Sequence, residues 1–194
     1  MRRSSIALGV VGLALAVWLS FAVRYPSDKT PEGAYARVAK SVNQGRPRDF
    51  FAYLETDAQH ACYTIGEFRK RARERILAAY PDPPKTELAA QHRIEADAPD
   101  GADVWAWFAD AHGFVTLLRR DVSGVAKVEI SGERATVETV RGTRYAFRRR
   151  ENGIWGMTRF TAALREEAER AARDFALVDQ AAKDYERERA ARRE

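Results

Sequence analysis

Residues 125–161 read VAKVEISGERATVETVRGTRYAFRRRENGIWGMTRFT, and this stretch decides the fold. Apolar and polar side chains alternate along it, the period-2 signature of half-buried strands. The alternation predicts four strands, at Val125–Ile130, Arg134–Val140, Thr143–Arg150 and Ile154–Thr161. Ser131-Gly132, Gly142 and Asn152-Gly153 supply the turns between them. Connections this short leave an antiparallel meander, because a parallel crossover needs roughly a dozen residues or more.

Turn chemistry sets an expected register. A three-residue loop Arg141-Gly142-Thr143 places Val137 opposite Phe147 and Thr139 opposite Tyr145. An Asn152-Gly153 turn places Arg150 opposite Trp155 and Arg148 opposite Met157. One face then holds Val128, Ile130, Val137, Tyr145, Phe147 and Phe160, which reads as core. The other holds Lys127, Arg144, Arg148, Arg150, Trp155 and Arg159, with Glu129 and Glu138 among them. Guanidinium forks beside an indole suit phosphate or carboxylate groups, so Arg144, Arg148, Arg150, Trp155 and Arg159 form a candidate site for an anionic partner. Two plainer readings stay open: Arg–Glu pairs on a solvated sheet face, and a C-terminal helix covering Trp155.

Upstream, the period changes to 3.6. Thr30-Pro31-Glu32 reads as N-cap, first helical position and acidic first turn, with Ala34, Tyr35, Val38 and Val42 on one face and Gly45 as the stop. Arg46–Glu55 reads as a short helix around Phe50, Phe51 and Leu54. A long helix from about Asp57 to Tyr80 carries the apolar line Ala58, Cys62, Ile65, Phe68, Ala72, Ile76 and Ala79, and Pro81, Pro83 and Pro84 end it. Helical stretches follow near Glu87–Glu95 and Asp103–Arg120. The last helix starts near Thr161 with a stripe of Leu164, Ala168, Ala171, Phe175, Val178, Ala182 and Tyr185. That stripe has heptad spacing, but Asp174 and Asp179 would flank a parallel homodimer seam with like charge. Docking on its own domain and self-association are the two readings. The expected class is α+β: a helical N-terminal half packed on a four-stranded antiparallel meander, with a long C-terminal helix.

Helices followed by a curved meander, with Gly-Glu-Arg-Ala-Thr-Val, Tyr-x-Phe and Asn-Gly-x-Trp in its strands, resemble the nuclear-transport-factor-2-like superfamily over residues 31–161. The resemblance implies a cone-shaped α+β fold, which in some members holds a pocket with an acid and an aromatic hydroxyl. The strand usual between that family's early helices is missing from the pattern here, and the helices near 87–120 are additional. No catalytic motif of the family carries over to these positions.

Residues Ile6–Val23 contain no charged side chain and follow Arg2 and Arg3. Eighteen helical residues reach about 27 Å, enough to cross a bilayer core as a transmembrane helix. An uncleaved anchor is the leading reading, a signal peptide cut after Ala22 is the alternative, and a buried core helix is the third. The charge asymmetry keeps the N-terminus in the cytoplasm. Anchor and signal peptide alike export the remainder, and the Ala- and Arg-rich composition suits a GC-rich bacterium, so the expected location is the inner membrane with the domain in the periplasm. The chain divides into a signal anchor (1–24), a linker (25–29), an α+β domain (30–161) and a C-terminal helix (162–194).

The 194 residues are 45% apolar and 31% charged, with a formal charge of +5 and one cysteine. This excludes a disulfide framework, a Cys-rich zinc site and a disordered tail protein. Residues 119–150 hold nine basic and four acidic side chains, so the excess charge is concentrated in the sheet. Cys62 lies in an apolar helical line, and His60, two residues away, diverges from it by about 200°. His92 and His112 lack an i, i+4 ligand partner, and Asp57, Asp103 and Asp110 sit where helix caps are usual. These positions predict no catalytic, cofactor or metal site. The expected function is a non-catalytic, membrane-anchored interaction or assembly module. The alternatives are a pocket enzyme or binder lined by Tyr145, Tyr35 and Trp105, and a binder of anionic lipid or polymer through the Arg/Trp face. The expected compartment excludes nucleic acid as the partner.

Overall fold

A computed structural model describes residues 26–192. The expected span at 6–23 and the cut after Ala22 lie outside the described residues. Within them the fold is α+β, with eight α-helices and one antiparallel sheet in the order β1-β2-β3-β4. The helices are α1 (Pro31–Asn43), α2 (Pro47–Phe50), α3 (Thr56–Ala79), α4 (Pro84–Gln91), α5 (Arg93–Ala96), α6 (Gly101–Ala111), α7 (Phe114–Asp121) and α8 (Thr161–Ala191). The strands are β1 (Val125–Ser131), β2 (Arg134–Thr139), β3 (Arg144–Arg149) and β4 (Trp155–Met157).

Local chemistry explains most boundaries. The Thr30 hydroxyl accepts from the Gly33 amide at 3.2 Å, capping α1 as its sequence predicts. The stretch expected as one helix over 103–120 is two, because Gly113 adopts φ +66° and breaks the ladder between α6 and α7. Arg46–Glu55 is shorter than expected as an α-helix and passes through a 3-10 turn at Phe51–Tyr53. The backbone of Leu54 and Glu55 then runs along the free edge of β4, where the Glu55 amide donates to the Met157 carbonyl at 3.2 Å. Gly156 is required there. A Cβ on it would lie 2.6 Å from the Glu55 Cα.

The sheet register differs from the expected one in two places. Val137 faces Tyr145 and Ala135 faces Phe147, a shift of two residues that keeps every side chain on its predicted face. Between β3 and β4 the shift is a single residue: Arg149, not Arg150, faces Trp155, and Arg148 faces Gly156. The cause is the turn. Arg150 and Ile154 close the hairpin (N···O 2.9 Å) around a three-residue loop with Gly153 at φ +81°, instead of a two-residue turn. One residue of slip reverses the faces, so Trp155 and Met157 point into the core.

That core face carries Val137, Tyr145, Phe147, Trp155 and Met157, packed with Tyr35 and Val38 of α1, Phe50, Leu54, Trp105 and Phe108 in one cluster. Edge-on aromatic contacts join Phe50 to Trp105 (5.2 Å) and Phe50 to Phe160 (5.9 Å), and the Trp105 indole donates to the Pro47 carbonyl at 2.9 Å.

Helices α3 and α8 run side by side in the same direction, away from the sheet. Leu164, Ala168, Ala171, Val178 and Ala182 are buried in this contact, with Phe175 packed on Phe68, so the apolar stripe docks on its own domain. Charge fixes the pairing. Arg69, 6% exposed, donates to Glu167 at 2.9 Å and to Asp174 at 2.6 Å, with Glu95 of α5 at 3.9 Å. Further along, Arg75 grips Asp179 at 2.8 Å and Glu186. The two aspartates that oppose a homodimer seam are the partners of these arginines.

Arg69→Ala is expected to cost about 3–5 kcal/mol in denaturant unfolding, because it strands buried carboxylates, whereas exposed Arg173→Ala stays within about 0.5 kcal/mol. Burial pushes the Glu95 carboxyl up. A raised acid contributes stability at low pH and loses it as pH rises through the folded value. Glu95→Gln should therefore gain stability relative to wild type as pH rises from about 4 to 7, and a pH-independent difference would contradict this assignment.

Candidate functional site

Among the described residues no helix lies over the sheet face away from the core, and the face is open to solvent except at Gly156, which packs against Glu55. Lys127 and Glu129 come to it from β1, Arg134, Thr136 and Glu138 from β2, Arg144, Ala146 and Arg148 from β3, and Gly156 from β4. Alternation alone puts them there, since each is two residues from the next on its strand.

At the β1 side the charges are paired. Glu129 accepts from Lys127 at 2.7 Å and from Arg144 at 2.9 Å. The Lys127 ammonium and the Arg144 guanidinium hold the Glu129 carboxyl below its ordinary range. At the other end Arg134 and Arg148 face each other directly across β2 and β3. Neither guanidinium has a hydrogen bond or ion pair among the described residues. Like charges directly opposite in a sheet disfavour the pairing they sit on. The two arginines flank a groove of about 320 Å³, bordered also by Thr136, Ala146, Thr158 and Glu55. The Glu55 carboxylate at its end is engaged by the Thr161 hydroxyl, and the Thr158 hydroxyl donates to the Ala146 carbonyl at 3.3 Å. Two uncommitted guanidinium forks with Thr136 beside them can grip an oxoanion.

Of the five residues singled out in the sequence, only Arg144 and Arg148 share this face. Trp155 is a correction: it is 4% exposed on the core side, its indole donating to the Lys29 carbonyl at 3.1 Å. Arg150 lies past the end of β3, where it donates to the Ala52 carbonyl at 2.9 Å and to Gln59 at 2.8 Å, tying the turn to α3. Burial pulls its pKa down. Arg159 lies past β4, with its guanidinium 5.6 Å from the Tyr145 ring centre and 3.8 Å from Asp121. Arg134 was missed. Its signal was present, because the Ser131-Gly132 turn fixes it two residues before Thr136 on the same face.

The other candidates have structural roles. Cys62 is fully buried and burial pushes its thiol up to about 12, so it is protonated and unreactive, while His60 points to solvent. His112 bonds the Phe108 carbonyl at 2.9 Å and stacks on Phe114. Burial and the Arg69 charge pull the His92 pKa down. Asp100 caps α6 by accepting from the Ala102 and Asp103 amides. Tyr145 is 1% exposed, its hydroxyl unpartnered among the described residues, and Tyr35 and Trp105 are equally buried, so the three residues expected to line a cone pocket are packed against neighbours. Among the described residues no three His, Cys, Asp or Glu side chains group as a metal site, and no helix is long and apolar enough to cross a membrane.

No family model, curated protein or solved structure matches the chain.

Proposed function

We propose that the chain is a non-catalytic interaction module, tethered to a bacterial inner membrane by residues 1–24, that presents its uncovered sheet face to an anionic component of the envelope. The observation that carries this reading is the Arg134–Arg148 pair: two opposed guanidinium groups, without counter-ions among the described residues, beside a groove of about 320 Å³. Their mutual repulsion is relieved when a phosphate or carboxylate sits between them, so the ligand supplies what the sheet lacks. Elsewhere on the face, Arg144 and Lys127 already have Glu129, which confines the proposed site to the β2–β3 end. The filled interior beneath Tyr35, Trp105 and Tyr145 supports surface binding over chemistry inside a cone. Kinship with nuclear-transport-factor-2-like proteins is proposed for the fold, on the order of helices and meander.

The test uses the full chain held in neutral lipid nanodiscs, with phosphatidylglycerol vesicles and polyphosphate as probes at low salt. Arg134→Ala and Arg148→Ala are each expected to weaken binding about tenfold, and Arg144→Ala less than about twofold. Equal losses at all three positions, or no binding of either probe, would overturn the site. Intact mass of the membrane-extracted chain is expected to include Met1–Ala22, and its loss would overturn the tether.

A further inference from the structure

The two edges of the sheet are treated differently. The outer edge of β4 is occupied by Leu54 and Glu55. The outer edge of β1 has no strand beside it among the described residues, although β1 is seven residues long and six of them are exposed. Val125 and Ile130 are 38% and 60% exposed on it. It contains no proline, and no helix among the described residues covers it. An edge of this length with open amides and carbonyls is a template for another strand.

The sequence of β1 says which strand. From the axial residue outward, VAKVEIS has opposite charges at equal distances on either side of Val128: Lys127 before it and Glu129 after it. In antiparallel self-pairing, a two-fold axis through Val128 places Lys127 of each copy opposite Glu129 of the other and Ala126 opposite Ile130. Val128 then faces its own counterpart. That register also gives the greatest overlap of a strand running from 125 to 131. Moving the axis to Lys127 sets lysine against lysine, and moving it to Glu129 sets glutamate against glutamate. Lys127 and Glu129 share the outer face, while Val128 and Ile130 share the core face, so both faces of the sheet continue across the junction.

We infer that β1 pairs antiparallel with β1 of a second copy of this chain about a two-fold axis through Val128, joining two four-stranded sheets into one of eight strands. The Lys127–Glu129 contact within each strand, at 2.7 Å, becomes a ring of four alternating charges, with Arg144 on each Glu129 outside it. Lysine on an edge strand ordinarily deters pairing; here the partner's glutamate neutralises it. The β-bulge between Val125 and Lys127 leaves Lys127–Ser131 regular, and the charged contacts fall inside that regular stretch. The inference does not depend on the outer-face ligand, since Arg134 and Arg148 lie at the far end of β2 and β3 from the charge ring.

The test uses the full chain in detergent. A Val128→Cys variant is expected to form an intermolecular disulfide under mild oxidation, because directly opposed antiparallel residues sit within disulfide reach, whereas Ile130→Cys is not. Cys62 is buried and stays silent. Lys127→Glu and Glu129→Lys are each expected to weaken self-association at least about tenfold, because the axis makes each substitution act at two contacts. The double swap Lys127→Glu/Glu129→Lys restores it, and the two single variants, mixed, associate with each other. This rescue separates pairing from misfolding, which no mixture would repair. A monomeric wild-type chain, equal crosslinking at 128 and 130, or mixed variants that stay apart would overturn the inference.

Discussion

A four-stranded meander with strictly alternating side chains can bury one face only, and everything else in this molecule follows from which face that is. Val137, Tyr145, Phe147, Trp155 and Met157 form the buried side, and α1, α2, α6 and the Leu54 segment are arranged to cover it. Large aromatic surfaces supply the driving force, and the edge-on contacts of Phe50 with Trp105 and Phe160 fix the angles beneath it. The opposite face keeps its charged residues, and no element among the described residues covers it. The long helix that follows β4 turns away from the sheet instead, alongside α3.

That departure has its own physics. A stripe containing Ala168, Ala171 and Ala182 is too thin to hold a 31-residue helix by apolar contact alone. Arg69 and Arg75 make up the difference by selecting one alignment with Glu167, Asp174, Asp179 and Glu186. The buried Arg69–Glu167 pair contributes more to register than to stability, since its desolvation offsets much of the attraction. They explain why acids sit beside an apolar seam that otherwise looks built for a homodimer.

Much of the fold was legible. Period-2 alternation, the Thr30-Pro31 start of α1 and the proline block after α3 identified the meander and two helix ends from local chemistry alone. The class and element order follow. Failures occurred where a single residue of backbone decides an outcome. Asn152-Gly153 fits either a two- or a three-residue loop, and that ambiguity placed Trp155 on the wrong face and Arg150 inside a site it does not join. Gly113 split one expected helix because a left-handed residue mid-pattern resembles an ordinary interior glycine. Arg134 went unnoticed since its significance lies in facing Arg148, which depends on register rather than composition.

The proposed function belongs to surfaces: a charged sheet face whose Arg134–Arg148 pair has no counter-ion among the described residues, next to a strand edge with self-complementary charges. Cysteine placed at Ala146, on the outer face near Arg148, reports whether this face is covered, with buried Cys62 as the internal control. Its labelling by a water-soluble maleimide is compared between purified chain and native membranes. Fast labelling of the purified chain is expected, with strong protection in membranes, where the proposed anionic partner covers the face. Slow labelling of the purified chain, or equal labelling in both, would contradict it.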